Sequence, residues 1–231
     1  CRIGLTQACD APKIIGTRVD GGYSDHVIVL DSKFLIDFTG INPNLACTLA
    51  CSGLTVYSAL KKIELSQLTD NDRIVIIGAG GLGLAAISVA KFLTKAKIII
   101  ADIDDKKLQM AEKIGADFCL STASDNPEKK IIEFSSEHHG IAACIDLVGL
   151  PQTMKFGLAV LRKGGAHIHV GLHGGAHQIP LPPLSFRMLR VMGSYVGTLE
   201  ECRELVDMVK NGLEIKIPIR TLPLEEANSA I

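Results

Sequence analysis

Between Arg73 and Val196 the chain repeats one pattern, a short and almost wholly apolar run followed by a stretch with helical spacing. The runs fall at residues 74–77, 98–101, 118–120, 142–148, 167–170 and 191–196. A strand with one face in water alternates apolar and polar residues, whereas a strand covered by helices on both faces is apolar throughout. Successive runs start roughly 20 to 25 residues apart, which leaves room for the helical crossover that parallel strands need. Six such units predict an α/β fold built on a doubly wound parallel sheet.

The flanks read differently. Residues 1–57 are turn-rich, with Gly21-Gly22 feeding an apolar run at 27–30 that reads as a strand. After Gly197, residues 199–210 have helical spacing and close on Asn211-Gly212 as a C-cap. An extended segment follows at 215–223, then a helix start at Leu224. A chain that opens on Cys and stops at Ile231 soon after a helix start reads as a piece of a longer protein, shortened at both ends. The expected divisions are 1–56, 57–197 and 198–231.

Composition narrows the class of ligand. A formal charge of −1, from 24 basic and 25 acidic side chains spread without runs, offers no footprint for nucleic acid or an anionic membrane and leaves a small molecule. No apolar stretch approaches the roughly 18 residues that span a bilayer, and no leader pattern opens the chain, so a soluble, cytoplasmic protein is expected. Seven cysteines are an odd count for a disulfide framework. Cys119, Cys144 and Cys202 are scattered and read as buried or idle thiols, while Cys1, Cys9, Cys47 and Cys51 crowd the front, where metal is the expected use in a reducing compartment.

The run at 74–77 ends in Gly78-Ala79-Gly80-Gly81-Leu82-Gly83, and Leu82, Ala85, Ala86, Val89 and Leu93 follow with helical spacing. Gly78 permits a tight turn, Gly80 lets backbone approach a pyrophosphate, and Gly83 allows close packing of helix on strand. The helix N-terminus supplies free N–H groups for phosphates. The motif alone is weak, but the next run ends in Asp102, about 20 residues on, where a carboxylate is wanted for the ribose hydroxyls. Together they predict a Rossmann dinucleotide site. Ile103 follows Asp102 with no Arg to receive a 2′-phosphate, so NAD is expected over NADP. Lys106 and Lys107 could reach the ribose or phosphate, although a solvated helix face is the favoured reading of them.

Further motifs carry a resemblance. Cys1 and Cys9 stand in C-R-x-G-x4-C; Gly21-Gly22-Tyr23 precedes the run at 27–30; Cys51 opens Cys-Ser-Gly-Leu-Thr-Val-Tyr; Asp146-Leu147-Val148-Gly149 and Gly193-Ser194-Tyr195-Val196-Gly197 follow the glycine loop and Asp102. With these the chain resembles the zinc-containing medium-chain alcohol dehydrogenases over its full length. The resemblance implies that a GroES-like, β-rich catalytic domain is represented in part beside the Rossmann sheet. It also implies that Cys51 is a ligand of a catalytic zinc, although composition alone reads Cys51 as a buried thiol. Cys1 and Cys9 match two of four structural-zinc cysteines, Thr55 a position near the nicotinamide carboxamide, and Val170-Gly171 backbone at the same ring. Cys47 matches no ligand and reads as packing. A zinc ion bound through thiolates with one open position can act as a Lewis acid on an alcohol oxygen; alcohol dehydrogenase is itself the standing example of such a site.

Asp146 is expected either to shape the adenine-side edge or to form a turn. His173 and His177 have i, i+4 spacing but sit in a Gly-rich loop, so loop residues near the cleft are expected. His138-His139-Gly140 reads as a surface turn, and His26, His167 and His169 as strand residues of a core or interface. The resemblance implies an NAD-dependent oxidoreductase acting on a secondary alcohol or polyol and its aldehyde or ketone, in a homodimer or homotetramer paired through the sixth strand. The isolated chain, lacking further zinc ligands, is expected to bind NAD and not to turn over. Two alternatives stand beside this: a zinc-free quinone or enoyl reductase, and a non-catalytic dinucleotide-binding protein.

Overall fold

A computed structural model describes residues 4–135 and 140–230, the side chain of Ala230 excepted. All six apolar runs become strands: β1 (Arg73–Ile77), β2 (Lys97–Asp102), β3 (Phe118–Ser121), β4 (Ile141–Asp146), β5 (Leu161–His169) and β6 (Arg190–Gly193). Every pairing is parallel, in the order β3-β2-β1-β4-β5-β6. The order reverses between β1 and β4, and in such sheets ligands bind beyond the carboxyl ends of the strands at that reversal.

Three of the runs stop early as strands, β5 by a single residue at His169. β4 ends at Asp146 because its carboxylate takes the N–H groups of Val148 and Gly149 and turns the chain away. β6 ends at Gly193, three residues before Val196, which is held at φ +45.

Strand residues of opposite parity face two separate cores. Ile74, Ile76, Ile98, Ile100, Ile145 and Ile168 pack under one set of helices: α2 (Leu54–Lys61), α3 (Gly81–Leu93), α4 (Asp105–Ile114) and α8 (Leu199–Lys210). Val75, Ile77, Ile99, Ala101 and Cys144 pack under α5 (Pro127–Ser135) and α6 (Pro151–Val160). At roughly 25 cal/mol per Å² of apolar surface, burial on both faces is the main term holding such a sheet. The helix ends follow local chemistry. Asp104 caps α4 by accepting from the N–H of Lys106, and Gly115 closes it at φ +114. Thr198 and Glu201 form a capping box on α8, which ends at Asn211-Gly212 as expected.

The flanks depart from expectation. Among the described residues before α1 (Pro43–Thr48) there is no strand, only 3-10 turns at Thr6–Ala8 and Ser32–Phe34 and a single Ile15–Val19 bridge. The run at 27–30 is not a strand, and His26 is not on one; Ile28 is 83% exposed. A strand is stable only against a partner edge, and the described residues offer none there. The chain is also helical well before Tyr57: α1, a π turn (Leu49–Gly53) and α2 run on without a break. Asn42 accepts from the N–H of Asn44 to cap α1, with Pro43 at its first position, a start signal present in the sequence. A division at residue 56 therefore cuts α2, which packs on α3 and α8. Leu213 and Ile215 then return to the core, the chain runs to Pro223 with neither helix nor strand, and a 3-10 turn (Leu224–Glu226) and α9 (Ala227–Ala230) follow. A further short helix, α7 (Leu181–Phe186), precedes β6. No helix among the described residues is long and apolar enough to cross a membrane.

Candidate cofactor cleft

The glycine loop turns from β1 into α3 at the reversal of strand order. Gly78 sits at φ +102, and its N–H donates to Ala101 O at 2.7 Å. A Cβ on Gly83 would fall inside the Gly78 carbonyl, so helix and strand meet with no room for a side chain. Gly80 and Gly81 are the opposite case: a Cβ on either would meet no heavy atom within 4 Å. No side chain caps α3, whose first turn therefore presents unspent N–H groups to that open space.

Asp102 closes the loop from the side. Its carboxylate accepts from Ala79 N–H at 2.7 Å and from Asp104 N–H at 3.0 Å, which ties the glycine turn to the end of β2. Ile103 is exposed beside it, and Lys106 and Lys107 are exposed on the first turn of α4. Asp146 builds the adjacent turn, taking Val148 N–H, Gly149 N–H and the Thr153 hydroxyl. Gly149 and Gly171 then cross in such close contact that a Cβ on either would overlap the other segment's backbone.

Cys51 lies in the π turn, a widened turn that often marks functional positions. The sulfur is not sealed inside the protein: Cys51 is exposed, whereas Thr55 is buried. Both line a cleft of about 630 Å³ together with Leu82 at the start of α3 and with Val170 and Gly171 after β5. The same cleft is completed by Leu147, Leu172, His173 and the segment Ser194, Tyr195 and Val196. Val196, β-branched and left-handed, carries backbone strain at the cleft wall. A slightly larger hollow, about 680 Å³, lies at the opposite, amino end of the strands around Asp70 and Thr94 and carries no glycine turn.

The structure thus brings Cys51, Thr55, Leu82, Val170 and Gly171 to one cleft, and Gly78, Gly80, Gly81, Gly83 and Asp102 to one turn at its margin. His173 stands at the cleft rim, its Nδ1–H donating to Val148 O at 2.9 Å, in a loop as expected. Sequence reasoning missed Leu147, Leu172 and residues 194–196 as lining; the last were read as the end of the sixth strand and part of a dimer seam, whereas β6 stops at Gly193 and they line the cleft. Cys47 is exposed, its thiol donating to Asn44 O at 3.3 Å, which corrects the packing role expected of it. Cys1 and the pair His138-His139 lie outside the described residues. Cys9 is half-buried, and neither Cys9 nor Cys51 belongs to a group of three possible ligands; among the described residues that description fits Asp146, His167 and His169 alone.

Residues 81–211 match the family described as Zinc-binding dehydrogenase. Over 237 aligned residues the chain is 35% identical to an NAD-dependent alcohol dehydrogenase of Sulfolobus acidocaldarius, covering all of this chain and 66% of that one. Among solved structures it is similar to the alcohol dehydrogenase of Aeropyrum pernix, at 29% identity and a TM-score of 0.83, over 100% of this chain and 66% of the other. It is also similar to the D-arabinose dehydrogenase of Sulfolobus solfataricus, at 27% identity and a TM-score of 0.89, over 97% and 69%.

Proposed function

Because the chain belongs to the zinc-binding dehydrogenase family, we propose that it forms the NAD-binding part of an oxidoreductase that moves a hydride between NAD and a secondary alcohol or polyol. It spans 66% of the length of the NAD-dependent relative it matches, so the activity of the whole is part of this proposal. The observation that carries it is that Leu82, directly after the open positions Gly80 and Gly81, lines the same cleft as Thr55 and Cys51.

The residues fit the cofactor. The uncapped first turn of α3 would hold the pyrophosphate through its N–H groups and the positive end of the helix. Asp102 has lone pairs left beyond its two backbone bonds and accepts from the adenosine ribose hydroxyls. Thr55 and the backbone at Val170-Gly171 would hold the nicotinamide end in the cleft, where Leu147, Leu172 and Val170 would exclude water. Bound NAD supplies the hydride-accepting ring; the chain supplies its orientation.

Zinc fits less well. Cys51 would offer one sulfur to a catalytic ion and Cys9, with Cys1, would serve a structural one, but among the described residues neither Cys51 nor Cys9 belongs to a group of three ligands. Pairing of two copies along the β6 edge, as homodimer or homotetramer, belongs to the same proposal.

The experiment is a fluorescence titration of the chain with NADH and with NADPH. Asp102 faces the 2′ position with a negative charge, so NADH is expected to bind at least about tenfold more tightly, roughly 1.4 kcal/mol, and Asp102→Asn is expected to narrow the gap. Equal affinities would remove the assignment to NAD.

A further inference from the structure

Behind the cleft, on the sheet face covered by α6, β4 and β5 pair Cys144 with His167 and Asp146 with His169. Asp146 and His167 are fully buried. The Asp146 carboxylate is already oriented: one oxygen takes two turn N–H groups, the other the Thr153 hydroxyl at 2.7 Å. Facing that second oxygen stand His167 Nε2 at 3.9 Å and His169 Nδ1 at 3.8 Å, both too far for a hydrogen bond. Both ring nitrogens of His167 and Nδ1 of His169 are buried without a hydrogen-bond partner. Buried polar atoms left in this state are rare and call for a ligand.

We propose that Asp146, His167 and His169 bind a divalent transition-metal ion of the zinc class, at a site distinct from any built on the cysteines. The three ligand atoms lie within 4.8 Å of one another. A tetrahedral ion with bonds of about 2.0 to 2.1 Å sets its ligands roughly 3.3 Å apart, so the two histidine–carboxylate gaps need to close by about half an ångström and the gap between the histidines by at most about 1.5 Å. Two imidazoles and one carboxylate are a borderline donor set suited to zinc and leave one position for water. The Thr153 hydroxyl holds the carboxylate as an outer partner does in known sites. The His167 ring is seated by Gly157, where a Cβ would stand 2.6 Å from Nδ1, so its Nε2 stays aimed at Asp146. The His169 side chain, 36% exposed, opens the way in.

The test is calorimetric titration of zinc chloride into the chelator-stripped chain with Cys1, Cys9, Cys47 and Cys51 all replaced by Ser, so that the result does not depend on the cysteine sites. One equivalent is expected to bind, and cobalt in its place is expected to show no thiolate charge-transfer band. His169→Ala, at the partly exposed ligand, is expected to weaken binding at least about tenfold while the metal-free melting temperature holds. His167→Gln is expected to do the same to binding. No stoichiometric uptake, as when a water fills the gap, overturns the site; so does uptake that both variants leave unchanged.

Discussion

Gly80 and Gly83 sit three residues apart in one loop and answer to different constraints. A methyl group at Gly80 meets empty space, so Gly80→Ala is expected to leave stability within about 0.5 kcal/mol and to weaken NADH binding at least about tenfold, because the methyl enters the volume proposed for the pyrophosphate. A methyl at Gly83 collides with the Gly78 carbonyl, so Gly83→Ala is expected to cost about 1 to 3 kcal/mol of stability as well. Chemical denaturation and NADH titration of the two variants check both. The glycines and Asp102 were legible in the sequence because each role is local: a turn, a close approach, a carboxylate at the next strand end. The residues that share the cleft with Cys51 were less so, since Leu147, Leu172 and Tyr195 line it only because three separate segments converge there.

Elements were legible where their environment was uniform. Runs such as 98–101 are apolar because both sheet faces are covered, and any strand in that setting reads the same way. The run at 27–30 has a similar appearance but pairs with nothing among the described residues, and a strand's existence depends on a neighbour that its own residues do not encode. The π turn at Leu49–Gly53 was equally hidden: Leu54 N–H donates to Leu49 O, five residues back, and one inserted residue leaves no mark on hydrophobic spacing. Caps, by contrast, are written in the chain. Thr198→Ala removes the hydroxyl that accepts from Glu201 N–H at 3.1 Å and is expected to cost about 1 kcal/mol, read as a lowered denaturation midpoint with unchanged slope.

Over the whole molecule, the sheet does one thing for the proposed chemistry: it lines up the carboxyl ends of β1, β4 and β5 so that the glycine turn, the Asp146 turn and Val170-Gly171 border a single groove. The helical run from Pro43 to Lys61 lays Cys51 against that groove from outside the sheet. Cys51 and Cys47 are both exposed and only four residues apart, but only Cys51 lines the cleft. Cys47 is therefore an internal control for cofactor-dependent shielding. The decisive measurement is the rate of alkylation of each thiol, resolved by peptide mapping, in the free chain, with saturating NADH and with saturating ADP-ribose. NADH is expected to slow Cys51 at least about tenfold and leave Cys47 unchanged, with ADP-ribose, which lacks the nicotinamide, protecting neither. Alkylation of Cys51 at the same rate with and without NADH would contradict the account.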